Sequence, residues 1–281
     1  PPAENGYDSY DYLKPRKGST FYLYGVLDLL DCGGEWFYDS KSSELYFATE
    51  NGDSPENHKI SYKVYDYGFS ANDCENIVVD GIDFIACSAQ LNGVKGGIIK
   101  NCGFKYISND KNVSVQLLGE DNTLERCSIE YAVGNGVTVR GDGNAVRNSI
   151  IHDVCTFGDY FAAVDVKGEK NRIERNELYN SGRFLVMHYD SGQLRIEYNK
   201  MHGSGKLTSD LGATYEWGTD GRGSVIAYNW IYDCNGNGIY LDNFSENFVL
   251  HHNVIHDVTT RGIMLNSDSL NNKVYHNTVF N

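Results

Sequence analysis

Ile226-Ala227-Tyr228-Asn229-Trp230-Ile231, Leu250-His251-His252-Asn253-Val254-Ile255 and Val274-Tyr275-His276-Asn277-Thr278-Val279 are one phrase written three times, apolar-x-x-Asn-x-apolar. Two further copies, Ile173 to Leu178 and Ile196 to Met201, precede them. Carried backwards, the register sets Ser149, Cys127, Cys102 and Ile82 in the column that holds Asn176, Asn199, Asn229, Asn253 and Asn277. Nine coils result, with steps of 20 to 30 residues between successive column positions. A period in this range marks a solenoid, and its variability suits a β-helix, whose turns bulge outward, better than a helical repeat of fixed length.

One such coil alone would expose its apolar face, and stacking at the β spacing of about 4.8 Å buries it. Residues three before and two after the column, such as Ile173 and Leu178 or Ile226 and Ile231, are expected to point inward. An Asn in the column can bond the next Asn and the backbone at a bend, giving an internal ladder of satisfied amides. Cys102 and Cys127 fall in that ladder as stacked thiols. A second strand follows in each coil: Val115-Gln116-Leu117, Val137-Thr138-Val139, Val164-Asp165-Val166, Ile239-Tyr240-Leu241 and Ile263-Met264-Leu265 alternate with period two. Gly136, Gly238 and Gly262 precede three of them, where a tight turn is expected to use positive φ.

Residues 1 to about 70 break this rhythm and read as β-hairpins, with Phe21-Tyr22-Leu23-Tyr24, then Glu35-Trp36-Phe37-Tyr38 and Leu45-Tyr46-Phe47 around a turn at Asp39 to Ser43. The expectation is an all-β chain: an N-terminal β lobe over 1–70, packed on a right-handed parallel β-helix over 71–281. The last residues, His276 to Asn281, stop inside the repeating phrase, so the chain reads as cut short at its C-terminus.

Composition agrees, with 30 Gly against 4 Pro and 21 Tyr favouring turns and strands over helices. A formal charge of −14 repels phosphate backbones and anionic lipid, which weighs against nucleic acid and membrane partners and mildly against a highly anionic polysaccharide. No apolar run is long enough to span a bilayer, and Pro1-Pro2-Ala3-Glu4 opens without the features of a signal peptide. Seven cysteines without CxxC spacing read as buried thiols, not as a disulfide framework or zinc site, and no metal-ligand set is assigned.

In a solenoid, equivalent positions form rows, and one row collects polar groups that a core does not need. The residue after the second strand reads Arg140, Lys167, His188 or Tyr189, Glu216 or Trp217, Asp242 and Asn266. If Gly212 aligns with Gly238, Glu216 and Asp242 stand one coil apart, at about 4.8 Å. Carboxyl groups roughly 5 to 5.5 Å apart are the arrangement of a retaining glycosidase, and like charges that close raise one pKa. The plainer alternative is that the two end exposed strands or hold a structural cation. Tyr189, Tyr215, Trp217 and Tyr240 lie near the row, with faces suited to stacking on sugar rings. Arg140 and Lys167 form a basic end able to hold a carboxylate or sulfate, which opens a second class, the polysaccharide lyase. For a lyase, Asp165, Asp190 and Asp242 could supply oxygen ligands to Ca²⁺. His152-Asp153 and His256-Asp257 recur at equivalent points, which assigns them to a bend and leaves His188 as the histidine of the polar row.

Gly34-Glu35-Trp36-Phe37-Tyr38-Asp39 with Leu45-Tyr46-Phe47, then Asp210-Leu211-Gly212-Ala213-Thr214-Tyr215 with Gly238-Ile239-Tyr240-Leu241-Asp242, resemble bacterial right-handed β-helix proteins of polysaccharide breakdown. The chain looks similar to glycoside hydrolase families 120 and 141 and their unassigned relatives. That resemblance implies a secreted or periplasmic enzyme acting on a plant or algal polysaccharide or oligosaccharide, with a carboxylate pair and no required cofactor. Family 120 implies an Asp nucleophile and a Glu acid/base on neighbouring coils, whereas the order here is Glu216, then Asp242; Asp242 is favoured as nucleophile. The polygalacturonase signatures Asn-Thr-Asp and Arg-Ile-Lys are absent. Three readings follow in descending weight: a glycoside hydrolase, a lyase acting on a uronate-containing glycan, and a noncatalytic carbohydrate-binding β-helix.

Overall fold

Stacking the phrase on itself produces three parallel sheets of nine strands each in the computed structural model, which describes residues 17, 18, 21, 23–108 and 112–281. The chain divides into two compact units, residues 1–62 and 63–281. In the first unit, Trp36–Asp39 and Glu44–Phe47 pair antiparallel, Trp36 opposite Phe47, around the turn read from the sequence. Phe21, Leu23 and Tyr24 lie outside any strand, and Tyr22 lies outside the described residues.

Each coil of the second unit lays down three strands in turn. The first sheet runs from Val78–Asp80 to Lys273–Tyr275, the second from Asp83–Ile85 to Thr278–Phe280, and the third from Tyr67–Asn72 to Ile263–Leu265. Tyr67–Asn72 therefore already belongs to the solenoid. Between the first and second sheets the chain bends at the Asn column, and the residue before each column position from Cys102 to Asn277 takes a left-handed φ of 50 to 59°. Asn176 N–H donates to Asn199 Oδ1 at 3.0 Å, Asn199 N–H to Asn229 Oδ1 at 2.9 Å, and Asn229 N–H to Asn253 Oδ1 at 3.0 Å. Each Nδ2 returns a bond to a carbonyl of the previous coil, Asn229 to Ile196 at 2.9 Å. Buried amides are thus satisfied at both ends, which is what permits them in an apolar interior. Ile173, Leu178, Ile226 and Ile231 are all sealed inside.

Cys102 and Cys127 are free thiols in this column, and burial pushes Cys127 up to about 12. A second ladder at the start of the first sheet escaped the sequence reading: Asn122, Asn144 and Asn171 each accept a backbone N–H from the coil before. The glycines before the third-sheet strands do not use positive φ, contrary to expectation. Their role is space, since a Cβ on Gly238 would meet the Gly262 carbonyl oxygen at 2.5 Å and Ile255 Cγ2 at 2.6 Å. His152 and His256 do sit beside bend aspartates, with Nδ1 2.6 and 2.8 Å from Asp153 and Asp257.

Candidate active site on the third sheet

The third sheet has one face in the core and one outside, so its strands sort their side chains by parity. Thr138, Asp165, Met187, Tyr215, Tyr240 and Met264 pair in succession along one outward row. Arg140 pairs with Lys167 in the next outward row, where Asp242 and Asn266 follow their strands. Tyr189 and Trp217 join this outer side, Tyr189 under the Lys167 ammonium at 4.2 Å and Trp217 55% exposed.

Glu216 and His188 do not. The structure pairs Gly212 with Asn237, not with Gly238, and so sets Glu216 opposite Leu241. A slip of one residue turns a side chain to the other face. Glu216 is consequently buried among core residues, and the expected facing pair of Glu216 and Asp242 does not form. His188 pairs with Val166, also inward, and lies 5.8 Å from the Phe248 ring. Neither Glu216 oxygen and neither His188 ring nitrogen has a hydrogen-bond partner among the described residues. Burial pushes Glu216 up to about 8, and the Asp242 charge adds to that shift. Burial alone holds His188 down to about 3.

Outside the sheet lies a second apolar cluster, Ala162, Phe184, Met187, Leu211, Tyr215 and Tyr240, with Tyr189 and Met264 against it. Phe184 stacks on Tyr215 at 4.6 Å, Tyr240 meets Tyr215 edge-on at 5.4 Å, and Tyr160 reaches in from the preceding bend at 6.4 Å. The Arg183 guanidinium lies over Tyr160 at 3.8 Å and holds the Asp210 carbonyl at 3.1 Å. Sequence reasoning missed Tyr160, Arg183 and Phe184, which belong to no periodic phrase.

The tyrosine hydroxyls of this floor converge on Asp242. Tyr215 donates to Oδ2 at 2.9 Å, while Tyr240, Asn266 Nδ2 and the Asn243 N–H donate to Oδ1 at 3.1, 2.7 and 2.8 Å. Four donors on one half-buried carboxylate fix its position. Burial, then the Asp242 charge, raises Tyr215 well above the usual phenol range and pushes Tyr240 up to about 12, so both remain donors. The Asp210 charge adds to both shifts, which brings a second carboxylate within electrostatic reach of the same phenols.

The basic end is locally neutral. Arg140 is 2.5 Å from the buried Asp165 carboxylate, which also accepts from Asn135 at 3.1 Å. Lys167 lies 3.4 Å from Asp190. Asp165, Asp190 and Asp242 are thereby each engaged by a different partner.

A parallel solenoid with a polar and aromatic row along one sheet defines the class. Residues 113–279 match the family model described as right handed beta helix region, and the chain belongs to that family. Among solved structures, it is similar to DFA-IIIase from Arthrobacter chlorophenolicus A6 without its lid, with a TM-score of 0.52 and 12% identity, over 79% of this chain and 60% of that one. The C387A mutant of the same enzyme in complex with DFA-III gives 0.51 and 11%, over 79% and 56%. A structure described as a glycoside hydrolase gives 0.45 and 12%, over 68% of this chain and 38% of that one. The chain thus spans less than two thirds of each of these, and at such identities the likeness is one of fold. No curated protein matches the sequence.

Proposed function

We propose that the outer face of the third sheet binds a plant or algal polysaccharide or oligosaccharide and that the protein is a glycoside hydrolase, with Asp242 as its reacting carboxylate. The observation that carries this reading is the setting of Asp242: four donors hold it at the edge of an aromatic floor, beside an indole open to stack on a sugar ring. Glycoside hydrolysis asks for a second carboxyl group. Glu216, facing the core, cannot meet a sugar held outside the sheet, and Asp210 takes its place in the proposal. The retaining outcome expected from a Glu216–Asp242 spacing loses its basis with it.

Electrostatics favour hydrolysis of a neutral or weakly charged glycan over lyase chemistry. A uronate carboxyl would have to displace Asp165 from Arg140 or Asp190 from Lys167, on a chain whose formal charge is already −14. No cofactor is invoked for the hydrolase, and Ca²⁺ belongs only to the lyase alternative. Work on extracellular glycans also implies a secreted or periplasmic protein.

The test is a time course on a panel of neutral and uronate-containing glycans, read for reducing ends and for the ultraviolet absorbance of an unsaturated uronate. Reducing ends that vanish in Asp242→Asn and Asp210→Asn but persist in Glu216→Gln support the proposal. Absorbance that survives Asp242→Asn would replace it with a lyase, and binding without turnover across the panel would leave a carbohydrate-binding module.

A further inference from the structure

The eight histidines divide sharply by partner. His58, His152, His202 and His256 each lie against a carboxylate, and His188 is sealed in the core. His251, His252 and His276 make no ion pair with a carboxylate among the described residues, and two of them are hydrogen-bonded to each other, His251 Nδ1 standing 2.9 Å from His252 Nδ1 with one proton shared between them.

Neighbouring residues on a strand normally point to opposite faces. Here His251 ends the strand Val249–His251, and His252 takes the left-handed φ of 54° that the bend imposes on every coil, which brings the second ring round beside the first. Both rings are held by stacking, His251 on Tyr275 at 5.2 Å and His252 on Tyr228 at 5.0 Å. The His276 ring lies 5.0 Å beyond His252. In the two preceding coils the same two positions hold Ala227-Tyr228 and Glu197-Tyr198, so the arrangement belongs to this coil and is not a requirement of the bend.

We propose that His251 and His252 form a two-imidazole site for a divalent transition-metal ion of tetragonal preference, Ni²⁺ or Cu²⁺. Metal–imidazole bonds are about 2.0 to 2.1 Å, so two nitrogens at a right angle stand about 2.9 Å apart, whereas a tetrahedral angle sets them at about 3.3 to 3.4 Å. The two nitrogens are held at the right-angle separation by the hydrogen bond between them, so an ion would take the place of the shared proton with little movement of either ring, its remaining positions open to water or a further donor. The negative formal charge of the chain adds a general attraction for cations.

The experiment is calorimetric titration of the whole chain with Ni²⁺ near neutral pH. It is made in a Cys32→Ser background, because Asp31, Cys32 and Glu35 form a separate exposed cluster able to take an ion. One Ni²⁺ per chain is expected, weakened about tenfold or more by His251→Ala and by His252→Ala and unchanged by His256→Ala, with Zn²⁺ weaker than Ni²⁺. Wild-type affinity retained in either alanine variant, no saturable binding, or Zn²⁺ tighter than Ni²⁺ would each overturn the proposal. Circular dichroism of each variant checks that the solenoid is intact.

Discussion

Glu216→Gln should reshape the pH dependence of stability while sparing the outer face. The folded chain holds the Glu216 proton up to about pH 8, against an ordinary value of 4.5 for an exposed glutamate. Between those values the folded state binds one proton more than the unfolded state, so stability falls as pH rises. At about 1.4 kcal/mol per unit, the full displacement corresponds to roughly 5 kcal/mol lost across that window. His188 works in the opposite sense: held neutral down to about 3 against 6.5, it leaves the unfolded state with the extra proton, and stability rises over that interval. The two slopes offset each other between 4.5 and 6.5, leaving a decline from 6.5 to about 8. Urea unfolding of wild type and Glu216→Gln at closely spaced pH values reads the difference directly, since the amide keeps the shape and removes the titration. The stability of the variant relative to wild type should climb by several kcal/mol from pH 5 to pH 8. A difference flat with pH would refute the reasoning and place Glu216 in contact with solvent or a cation.

Asn229→Ala removes an amide side chain bonded to the coils before and after it and leaves their groups unpaired in the interior, so a loss of about 3 kcal/mol or more is expected in denaturant melts. Ile231→Asp, which buries a charge without a partner, should prevent folding at 37 °C, visible as loss of the β circular dichroism signal. Tyr215→Phe and Tyr240→Phe keep the aromatic floor and delete one donor each to Asp242; each should lower kcat on a hydrolysed glycan about tenfold or more, with little change in melting temperature. Trp217→Ala should raise KM more than it lowers kcat, because the exposed indole offers binding surface alone.

The fold was legible because its signal is redundant. The Asn column repeats a buried amide coil after coil, and each copy fixes the register of the next. The second amide ladder stayed hidden because its asparagine is interrupted: the equivalent donation goes to Ser224 Oγ in a later coil before an asparagine, Asn272, returns. The site failed at one strand. Gly212–Glu216 inverts the usual pattern, placing Thr214 and Glu216 inside and the aromatic Tyr215 outside, and it lies in the longest coil, the 30-residue step from Asn199 to Asn229. Alternation there points to the wrong face, and a glycine alignment one residue out carried Glu216 with it. His188 repeats the inversion beside an outward Met187. Asp165 was within reach of the same logic, as the middle of Val164-Asp165-Val166, whereas Tyr160 and Arg183 come from bends that no periodicity marks.

The inversion also ties the two faces of the sheet together. Tyr215 spends its ring on the outer apolar cluster and its hydroxyl on Asp242, while the next residue, Glu216, lies inside the solenoid and feels the Asp242 charge through the sheet. An anion at Asp242 therefore disfavours a second anion at Glu216. Moving the strand by one residue would exchange these roles, bringing a carboxyl to the outer face and a tyrosine into the core. The volume of that tyrosine has no place beside Leu241 and Val186, which is why packing, and not the spacing of carboxyl groups, decides which acid faces outward.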